Sequence, residues 1–380
     1  MKFIEEAHLN NKKVVVRCDF NVPINNGEIL DDSKIVRSLK TINYLIEKNC
    51  RVVLLSHLGR IKSEEDKDKN TLLPVRKRLE ELLKVPVTFI TDCINDEIPS
   101  DDRVILIENT RYYDYPEKRE SSNDPELAKA FSKLGDIFIF DAFGTAHRRH
   151  ASTSGIAKLL PTYIGYLVEE ELENLSRILD HNNPFVVVMG GAKVDDKLPI
   201  IKQLLPSCDN LLLGGGLANS FLKAMGFNIG KSLATDDDSI LVELKCLIEL
   251  YKGKILLPVD VVTENHNVVE IKDIDSIDNN DVIYDIGTKT VNKYENVIKN
   301  AETVFSNGTL GLYEDERFQN GTNRAFSAMK RVETVVIGGG DTVSAVNNLG
   351  YGDDFILSSG GGASLEYIAN GSLPVLDDIK

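Results

Sequence analysis

The chain of 380 residues is 42% hydrophobic and 27% charged, a balance that is typical of a folded globular protein. This length exceeds what one hydrophobic core usually fills, so we expect two domains. The formal net charge of -15 argues against nucleic acid or an anionic membrane as a general partner.

The cysteines and the apolar segments bear on the cellular compartment. Five cysteines are scattered along the chain without a C-x-x-C pair, which favours reduced thiols over a disulfide framework or a zinc site. The N-terminal segment has no apolar core of signal-peptide length, and no run approaches the roughly 18 apolar residues that a membrane span needs. We therefore predict a cytoplasmic protein with no membrane partner.

Short apolar runs rich in β-branched residues recur along the chain, separated by stretches with helical spacing. They lie at 13–17, 51–55, 103–107, 136–140, 185–189, 210–213, 254–258, 303–306, 334–337 and 354–357. Continuous apolar runs are typical of parallel strands that helices cover on both faces. The alternation therefore predicts an α/β architecture.

Two segments between these runs have a distinct composition. Segment 161–179 has acidic residues early, Arg177 late and the apolar spacing of one long helix, so it predicts a stiff connector between two domains. Segment 63–70 is a low-complexity stretch of charged residues and predicts an exposed loop.

Ligands of open parallel sheets bind beyond the carboxyl ends of the strands, so the residues after each run are informative. In the first half these residues are polar and largely cationic: Asp19, Asn21, His57, Arg60, Arg111, His147, Arg148, Arg149 and His150. A lone arginine there is most simply paired with a nearby acid. Arginines that cluster at successive strand ends repel one another unless an anion compensates, so the set predicts an anion site.

Glycine clusters follow the runs of the second half, at 190–191, 214–216, 338–340 and 360–362. Glycine lets backbone N–H groups approach phosphate oxygens closely, often at a helix N-terminus. One glycine pair also fits an ordinary tight turn. Four clusters after four apolar runs favour a phosphate-binding domain.

Charged side chains accompany two of the glycine clusters. Lys193 and Lys197 are four residues apart, which predicts one helical face near a phosphate chain, with a solvated helix face as the simpler alternative. Asp341 and Thr342 follow the third cluster, where a carboxylate beside phosphates is a natural Mg²⁺ ligand. An anion site together with a nucleotide–Mg²⁺ site indicates a phosphotransferase, although neither a P-loop nor the protein-kinase motifs are present.

The motifs RCDFNVP, SHLGR, AFGTAHR, GGAKVDDK, LLLGGG, SNGTLGLYE, GGGDT and SSGGGAS resemble, in order and spacing, those of the phosphoglycerate kinases. The resemblance extends from residue 13 to the C-terminus. It implies two Rossmann-like lobes with parallel sheets flanked by helices and joined by a long hinge helix. The N-terminal substrate lobe would comprise 1–165, with 366–380 returning to it, and the C-terminal nucleotide lobe would comprise 166–365.

The implied activity is reversible phosphoryl transfer between 1,3-bisphosphoglycerate and ADP, giving 3-phosphoglycerate and ATP, by a monomer that uses Mg²⁺ with ADP or ATP. The residues that match the family's substrate positions are Asp19, Phe20, Asn21, Lys34, His57, Leu58, Gly59, Arg60, Arg111 and Arg148. Those that match its nucleotide positions are Lys193, Lys197, Gly214, Gly215, Gly287, Asn307, Glu314, Gly339, Gly340, Asp341 and Thr342. Glu314 would hold the ribose hydroxyls and Asp341 the magnesium. The residues implied in catalysis are Lys34, Lys197, Gly360, Gly361 and Gly362.

The chain departs from the family pattern at a few positions. Lys34 replaces an arginine that the family uses in catalysis, and lysine keeps the charge but loses the planar fork. Arg37 lies three residues later, on the same face if this stretch is helical. Prolines of the family motifs are replaced by Ile61, Thr288 and Thr309.

Two other interpretations compete with a phosphoglycerate kinase. A pyridine-nucleotide dehydrogenase also uses α/β domains with glycine turns, but no G-x-G-x-x-G opens a helix after the first run. A family member that binds its ligands without catalysis, as a nucleotide sensor or scaffold, is supported only by Lys34.

Overall fold

The computed structural model describes residues 1–94, 99, 101–358 and 360–379. The chain divides into two compact units: unit 1 is Met1–Glu173 with Ser372–Lys380, and unit 2 is Asn174–Gly371. The sequence predicts the divisions at 165/166 and 365/366. Ser359 of the SSGGGAS motif and Lys380, at the end of the predicted returning segment, lie outside the described residues.

Unit 1 contains a six-stranded parallel sheet. The strands of this unit are β1 (Lys13–Cys18), β2 (Ile24–Asn25), β3 (Glu28–Ile29), β4 (Arg51–Leu55), β5 (Val87–Ile90), β6 (Val104–Ile107), β7 (Ile137–Asp141) and β8 (Thr162–Ile164). The sheet has the order β5-β6-β4-β1-β7-β8, and β2 pairs with β3 in a separate ribbon. All residues of β6 and β7 are buried, as expected for parallel strands covered on both faces.

Helices flank this sheet. They are α1 (Ser33–Glu47), α2 (Glu64–Lys69), α3 (Leu73–Leu83), α4 (Pro125–Ser132) and α5 (Tyr166–Leu179), the last of which contains the division between the units. Helix α1 buries Ile35, Ile42 and Leu45 in a core that also contains residues of β1 and β4. The helical spacing of these apolar residues explains why this face turns to the sheet.

Unit 2 contains a second six-stranded parallel sheet and a smaller antiparallel one. Its strands are β9 (Phe185–Met189), β10 (Asn210–Leu213), β11 (Ile255–Leu256), β12 (Asp260–Asn265), β13 (Val268–Asp273), β14 (Val282–Ile286), β15 (Thr303–Asn307), β16 (Thr334–Gly338) and β17 (Ile356–Ser358). The parallel sheet has the order β11-β10-β9-β15-β16-β17, and the three-stranded antiparallel sheet has the order β13-β12-β14. The predicted α/β fold with two parallel sheets is confirmed.

Unit 2 also contains α-helices. They are α6 (Leu198–Leu204), α7 (Gly215–Ala224), α8 (Asp238–Leu250), α9 (Thr288–Lys299), α10 (Asn320–Met329), α11 (Gly340–Asn348) and α12 (Gly362–Asn370). A core cluster joins Val186 and Val304 of the central strands to Tyr294 of α9 and Phe326 of α10. The Tyr294 hydroxyl donates to the Leu213 carbonyl oxygen over 2.8 Å, so this buried phenol is satisfied.

Segment 161–179 differs from the single long helix that its composition predicts. Residues Thr162–Ile164 form strand β8, which pairs with β7, and helix α5 begins only at Tyr166. The Leu167 amide donates to the Asp141 Oδ1 atom over 2.9 Å, which satisfies one amide of the first helical turn. A strand partner remote in sequence therefore overrides the local helical pattern.

The last helix, α13 (Pro374–Asp378), belongs to unit 1. Its Val375 amide donates to the Ala146 carbonyl oxygen over 3.0 Å, and the Asp378 carboxylate accepts from Arg149 Nε over 2.9 Å. Among the described residues, no helix is both long enough and apolar enough to cross a membrane.

Candidate functional site

The sheet of unit 1 brings most of the predicted substrate residues to one edge. The carboxyl ends of β6, β4, β1 and β7 are neighbours in the strand order. The residues that follow these ends are Asn109 and Arg111 after β6, His57 after β4, Asp19 and Asn21 after β1, and Arg148 after β7. Their convergence follows from parallel pairing, because all four strands end at the same side of the sheet.

The loops after β1 and β4 are tied together by hydrogen bonds. The Phe20 amide donates to Ser56 Oγ over 2.8 Å, and the Gly59 amide donates to Asn21 Oδ1 over 2.9 Å. The side chains of Phe20 and Leu58 are buried, so only their backbone atoms are available at the edge. Phe20 and Leu58 therefore act as anchors of these loops.

Lys34 and Asp19 form an ion pair beside these loops. The Lys34 Nζ atom lies 3.0 Å from Asp19 Oδ2, and the two side chains are 32% and 11% exposed. Arg37 is directed to other partners, because its Nη1 atom lies 2.8 Å from Oε1 of the buried Glu171. Arg37 does not share the partner of Lys34, although both are in helix α1.

A buried asparagine, Asn109, positions the loop after β6. The Asn109 Oδ1 atom accepts from the Leu58 amide over 3.1 Å and from the Arg111 amide over 3.0 Å. The Arg111 guanidinium donates to the Gly59 carbonyl oxygen. Asn109 thus links the loops after β4 and β6.

The arginines of this edge differ in their partners, since Arg149 pairs with Asp378 whereas three others do not pair with an acid among the described residues. Within the described part of the chain, Arg60, Arg111 and Arg148 form no ion pair with an aspartate or glutamate. Burial, and then the nearby charges of Arg17 and Arg148, lower the pKa of the Arg111 guanidinium. The charges of Asp114 and Glu120 oppose this shift without reversing it, so Arg111 has a net cationic environment, which favours the anion-site interpretation over local surface pairing.

Two histidines of the same edge are neutral. Burial, followed by the charges of Arg17 and Arg111, holds the pKa of His57 well below its ordinary value. Burial and the same two arginines lower the pKa of His150 to about 3. Neither imidazole is positively charged near neutral pH, so these side chains fit substrate positioning rather than acid catalysis.

In unit 2 the glycine turns lie at the carboxyl edge of the parallel sheet. Strands β10, β9, β15, β16 and β17 are consecutive in the sheet, and glycines follow each of them. The Gly215 amide donates to the Leu310 carbonyl oxygen over 2.9 Å, and the Gly191 amide donates to the Thr309 carbonyl oxygen over 2.9 Å. Helices α7, α11 and α12 begin at Gly215, Gly340 and Gly362, so helix N-termini open at this edge.

Lys197 lies among these turns. Its Nζ atom donates to the Asn307 Oδ1 atom over 2.6 Å and to the Asn307 carbonyl oxygen over 3.1 Å. Burial lowers the pKa of the Lys197 ammonium group to about 8, and the carboxylates of Asp341 and Asp196 oppose this shift. A desolvated cation beside glycine amides is suited to hold phosphate oxygens.

The prediction that Lys193 and Lys197 share one helical face is wrong. Only 195–197 form a turn, helix α6 begins at Leu198, and Lys193 is exposed whereas Lys197 is half-buried. The motif places Pro199 in the first helical turn, which favours a helix start at this point. Lys193 and Lys197 therefore differ in environment, which rules out the solvated helix face as well.

The other predicted nucleotide residues surround the same edge. The Asn307 Nδ2 atom donates to the Gly338 carbonyl oxygen over 2.7 Å, and the Gly308 amide donates to Thr342 Oγ1 over 2.6 Å. Gly287 precedes helix α9, and its environment is tight because an added Cβ atom would lie 2.3 Å from the Asp260 carboxyl carbon. Asp341 is exposed in the first turn of α11, and Glu314 is exposed after β15.

Comparison with known proteins identifies the family. A family model described as phosphoglycerate kinase matches residues 4–371. The chain belongs to the phosphoglycerate kinase family. The phosphoglycerate kinase of Fusobacterium nucleatum is 43% identical over 396 residues and covers 100% of this chain and 99% of that protein. That of Enterococcus faecalis is 43% identical over 394 residues with the same coverage.

Solved phosphoglycerate kinases share the fold. The phosphoglycerate kinase of Coxiella burnetii has a TM-score of 0.88 at 37% identity and covers 99% of this chain and 97% of that chain. That of Pyrococcus horikoshii has a TM-score of 0.83 at 30% identity and covers 100% of this chain and 98% of that chain. The predicted kinase activity is confirmed, and the dehydrogenase interpretation falls. Phosphoglycerate kinases act on small-molecule substrates that include a nucleotide, generally with Mg²⁺.

Three residues that contact the predicted site were missed by the sequence analysis. Arg17, Ser56 and Asn109 contact predicted site residues but are not among them. Arg17 carries a readable signal, because arginine is rarely fully buried without a partner and here it stands inside an apolar run. At the altered proline positions, Ile61 is buried, Thr288 begins α9, and the Thr309 carbonyl oxygen accepts from Gly191.

Proposed function

We propose that unit 1 binds 3-phosphoglycerate or 1,3-bisphosphoglycerate and that unit 2 binds ADP or ATP with Mg²⁺, for reversible phosphoryl transfer. The observation that carries this assignment is the set of Arg60, Arg111 and Arg148 beside neutral His57, without carboxylate partners in the described part of the chain. Arg111 is partly desolvated beside Arg17 and Arg148, so a bound anion would offset their mutual repulsion, and a phosphoglycerate supplies one.

In unit 1 the three arginines anchor the phosphate that is not transferred. Guanidinium groups bind phosphate with two parallel hydrogen bonds, so they fix the orientation of the substrate as well as its position. Asp19 and Asn21 orient the hydroxyl and carboxyl end of the substrate. The ion pair of Asp19 with Lys34 keeps the Lys34 ammonium near this end, 3.0 Å from the carboxylate.

In unit 2 backbone amides and Lys197 hold the phosphate chain. Gly214 and Gly215 stand at the start of α7, and Gly339 and Gly340 stand at the start of α11, where the helix dipole favours anions. Glu314 binds the ribose hydroxyls, Gly287 borders the nucleotide and Lys193 reaches the phosphates from the exposed turn. Asn307 and Thr342 hold the turns in place through their side-chain hydrogen bonds.

The residues present fit a magnesium ion that arrives with the nucleotide. Asp341 is exposed beside the glycine amides, and the described residues contain no group of three or more His, Cys, Asp or Glu side chains able to hold a metal. Mg²⁺ usually takes one or two protein carboxylates together with phosphates and water, which matches a single aspartate. When bound, the ion neutralises negative charge on the phosphates.

The transfer step needs charge stabilisation rather than a general base. The acceptor is already a carboxylate oxygen or a terminal phosphate oxygen of ADP, so no proton has to be removed. Lys197, Lys34 and the amides of Gly360, Gly361 and Gly362 stabilise the equatorial oxygens of the group in transit. We further propose that the protein is cytoplasmic, which its five free cysteines support, and that it acts as a monomer, as the family resemblance implies.

A coupled assay tests this function. ATP and 3-phosphoglycerate are supplied with glyceraldehyde-phosphate dehydrogenase, and NADH oxidation is followed. We expect turnover by the native chain and a fall in kcat of about 10³-fold in Lys197→Ala, because the substitution removes a cation that acts on the transition state. Lys202→Ala is the matched control, since Lys202 pairs with Glu243 on the outside of the same unit. Nucleotide binding without turnover would instead favour the sensor or scaffold interpretation.

A further inference from the structure

Strand β1 carries an arginine that is completely buried. Arg17 is 0% exposed, and its guanidinium makes three contacts. Nε donates to Ser152 Oγ over 2.9 Å, Nη1 donates to the Cys18 carbonyl oxygen, and Nη2 lies 3.1 Å from His57 Nδ1. An arginine in such a place has a fixed direction, because each of its three nitrogen atoms already contacts a partner.

Ser152 links the positive charge of Arg17 to the carboxylate of Glu120. Ser152 Oγ donates to Glu120 Oε1, and the Ser152 amide donates to Glu120 Oε2 over 3.0 Å. Glu120 is 0% exposed, like Arg17. A chain of hydrogen bonds thus runs from the Glu120 carboxylate through Ser152 to Arg17 and on to His57, and it holds the guanidinium in one orientation.

The contact between Arg17 and His57 assigns the tautomer of the imidazole. A guanidinium has only N–H donors, so His57 Nδ1 accepts the hydrogen bond and carries no proton. A neutral imidazole whose Nδ1 accepts has its proton on Nε2. A doubly protonated ring would set two donors against each other.

The surroundings of His57 also exclude the charged ring. Burial disfavours a positive charge on the ring most strongly. The ionisable groups that face it, Arg17 of β1, Arg111 after β6, Lys34 of α1 and His150 after β7, disfavour that charge further. The peptide carbonyl of His57 accepts from Ser56 Oγ over 3.3 Å, and the same Oγ accepts from Phe20. Backbone position and ring protonation are therefore both set before a ligand binds.

We propose that Arg17 is a positioning residue that holds His57 as the neutral Nε2–H tautomer, so that this proton is donated to the anionic end of the phosphoglycerate. The inference rests on the proposed function for the identity of the ligand, but the tautomer is a property of the free protein. Arg17 does not touch the substrate in this arrangement. It acts through His57.

The test is ¹⁵N NMR of the ¹⁵N-histidine-labelled full chain near neutral pH, with His57→Gln used to assign the His57 ring. We expect an unprotonated Nδ1 and a protonated Nε2 in the free protein, and we expect the Nε2–H signal to move when 3-phosphoglycerate is added. A protonated Nδ1, or a doubly protonated ring, overturns the proposal. So does the expected tautomer with an Nε2–H signal that stays unchanged at saturating ligand.

Two variants separate positioning from mere structure. In Arg17→Met we expect His57 to populate both tautomers and KM for 3-phosphoglycerate to rise by roughly tenfold, the loss expected for one hydrogen bond to an anion, with a smaller change in kcat. In Ser152→Ala the guanidinium loses one anchor but keeps its charge, so we expect an intermediate mixture and a smaller rise in KM. A single Nε2–H tautomer retained in a folded Arg17→Met protein contradicts the role of Arg17.

Arg51→Met is the matched control. Arg51 stands at the opposite end of the sheet, at the start of the neighbouring strand β4, and we expect neither the His57 signals nor KM to change. If Arg17→Met fails to fold, the spectrum of the native chain and Ser152→Ala still decide the matter. Absence of turnover with the expected tautomer counts against the proposed function and leaves the tautomer assignment standing.

Discussion

At the scale of single residues, Lys34 is the least expected feature of the substrate edge. Its ammonium lies 3.0 Å from Asp19 Oδ2, whereas an arginine in its place has a planar fork with several donors. A fork can bind Asp19 and still present an N–H to a phosphoryl oxygen. The single ammonium nitrogen of the lysine must instead serve both Asp19 and the phosphoryl oxygen.

We therefore expect Lys34→Arg to raise kcat by about tenfold, since one added charge-assisted hydrogen bond in the transition state contributes ~1.4 kcal/mol. Steady-state kinetics with ATP and 3-phosphoglycerate measure it. Arg37→Lys serves as control: its partner is Glu171, so kcat stays unchanged. Equal kcat values for the native chain and Lys34→Arg would show that Lys34 does not limit turnover.

Lys197 makes the activity sensitive to alkaline pH. Burial lowers the pKa of its ammonium group to about 8, so the charged form is lost as the pH rises through this value. We expect kcat/KM for ATP to fall above about pH 8, because the neutral amine of Lys197 no longer attracts the phosphate chain.

The comparison variant is Lys197→Arg, which stays cationic throughout the accessible range. Its kcat is lower because the fork does not fit the site of an ammonium, but its kcat/KM stays flat where the native profile declines. The same alkaline decline in both proteins would assign the titration to another group. The profiles are recorded between about pH 6 and pH 10.

At the scale of elements, the glycine turns of unit 2 divide into two physical kinds. A Cβ atom at Gly190, after β9, would lie 2.0 Å from the Thr309 carbonyl oxygen. A Cβ atom at Gly362, the first residue of α12, would meet nothing within 4 Å. The first glycine is required for packing between strands, whereas the second leaves open space for a ligand.

We expect Gly190→Ala to lower the free energy of unfolding by about 1–3 kcal/mol through overpacking, and Gly362→Ala to leave it unchanged. Gly362→Ala instead lowers kcat by roughly tenfold, because its methyl group keeps the phosphoryl oxygens away from the amides. Urea unfolding and the coupled assay, applied to both variants, measure the contrast. A destabilised Gly362→Ala protein would contradict the open environment of that turn.

Other elements show where local patterns mislead. Segment 63–70 predicts a loop, yet Glu64–Lys69 form helix α2, whose start is stabilised by the Ser63 amide donating to Asp66 Oδ2 over 3.1 Å. The S-x-x-D spacing of a helix start is visible in the sequence and explains the difference. The antiparallel sheet β12–β14 was not predicted, because its strands mix exposed and buried residues and lack continuous apolar runs.

At the scale of the whole molecule, the predicted substrate residues, Lys34 among them, belong to unit 1. The predicted nucleotide residues and the other predicted catalytic residues belong to unit 2. Direct transfer between two ligands needs the reacting atoms at about 3–3.5 Å and a site free of water. We therefore propose that helix α5, which contains the division between the units, serves as a hinge when both ligands are bound.

Small-angle scattering tests the hinge. We expect the radius of gyration to decrease when both 3-phosphoglycerate and a non-hydrolysable MgATP analogue are present, and to change little with either ligand alone. Arg148→Met, which weakens substrate binding, requires more 3-phosphoglycerate for the same compaction. An unchanged radius with both ligands at saturation would contradict closure.

The sequence alone determined the α/β class, the main parallel strands and the family. Continuous β-branched runs mark buried parallel strands, and the motifs after them carry the functional side chains, so these features are local and readable. Asp19, Arg111 and Asn307 could be assigned to strand ends for this reason, because a parallel sheet collects all such ends at one edge.

Only the tertiary structure decided which groups balance one another. Arg17 bonds to Ser152 and His57, Lys197 bonds to Asn307, and strand β8 forms because β7 is available to pair with it. These partners are separated by tens of residues or more, so the local hydrophobic pattern does not reveal that they meet. Burial and distant hydrogen-bond partners set the charge states and the tautomer, so they emerge only once the strands are assembled.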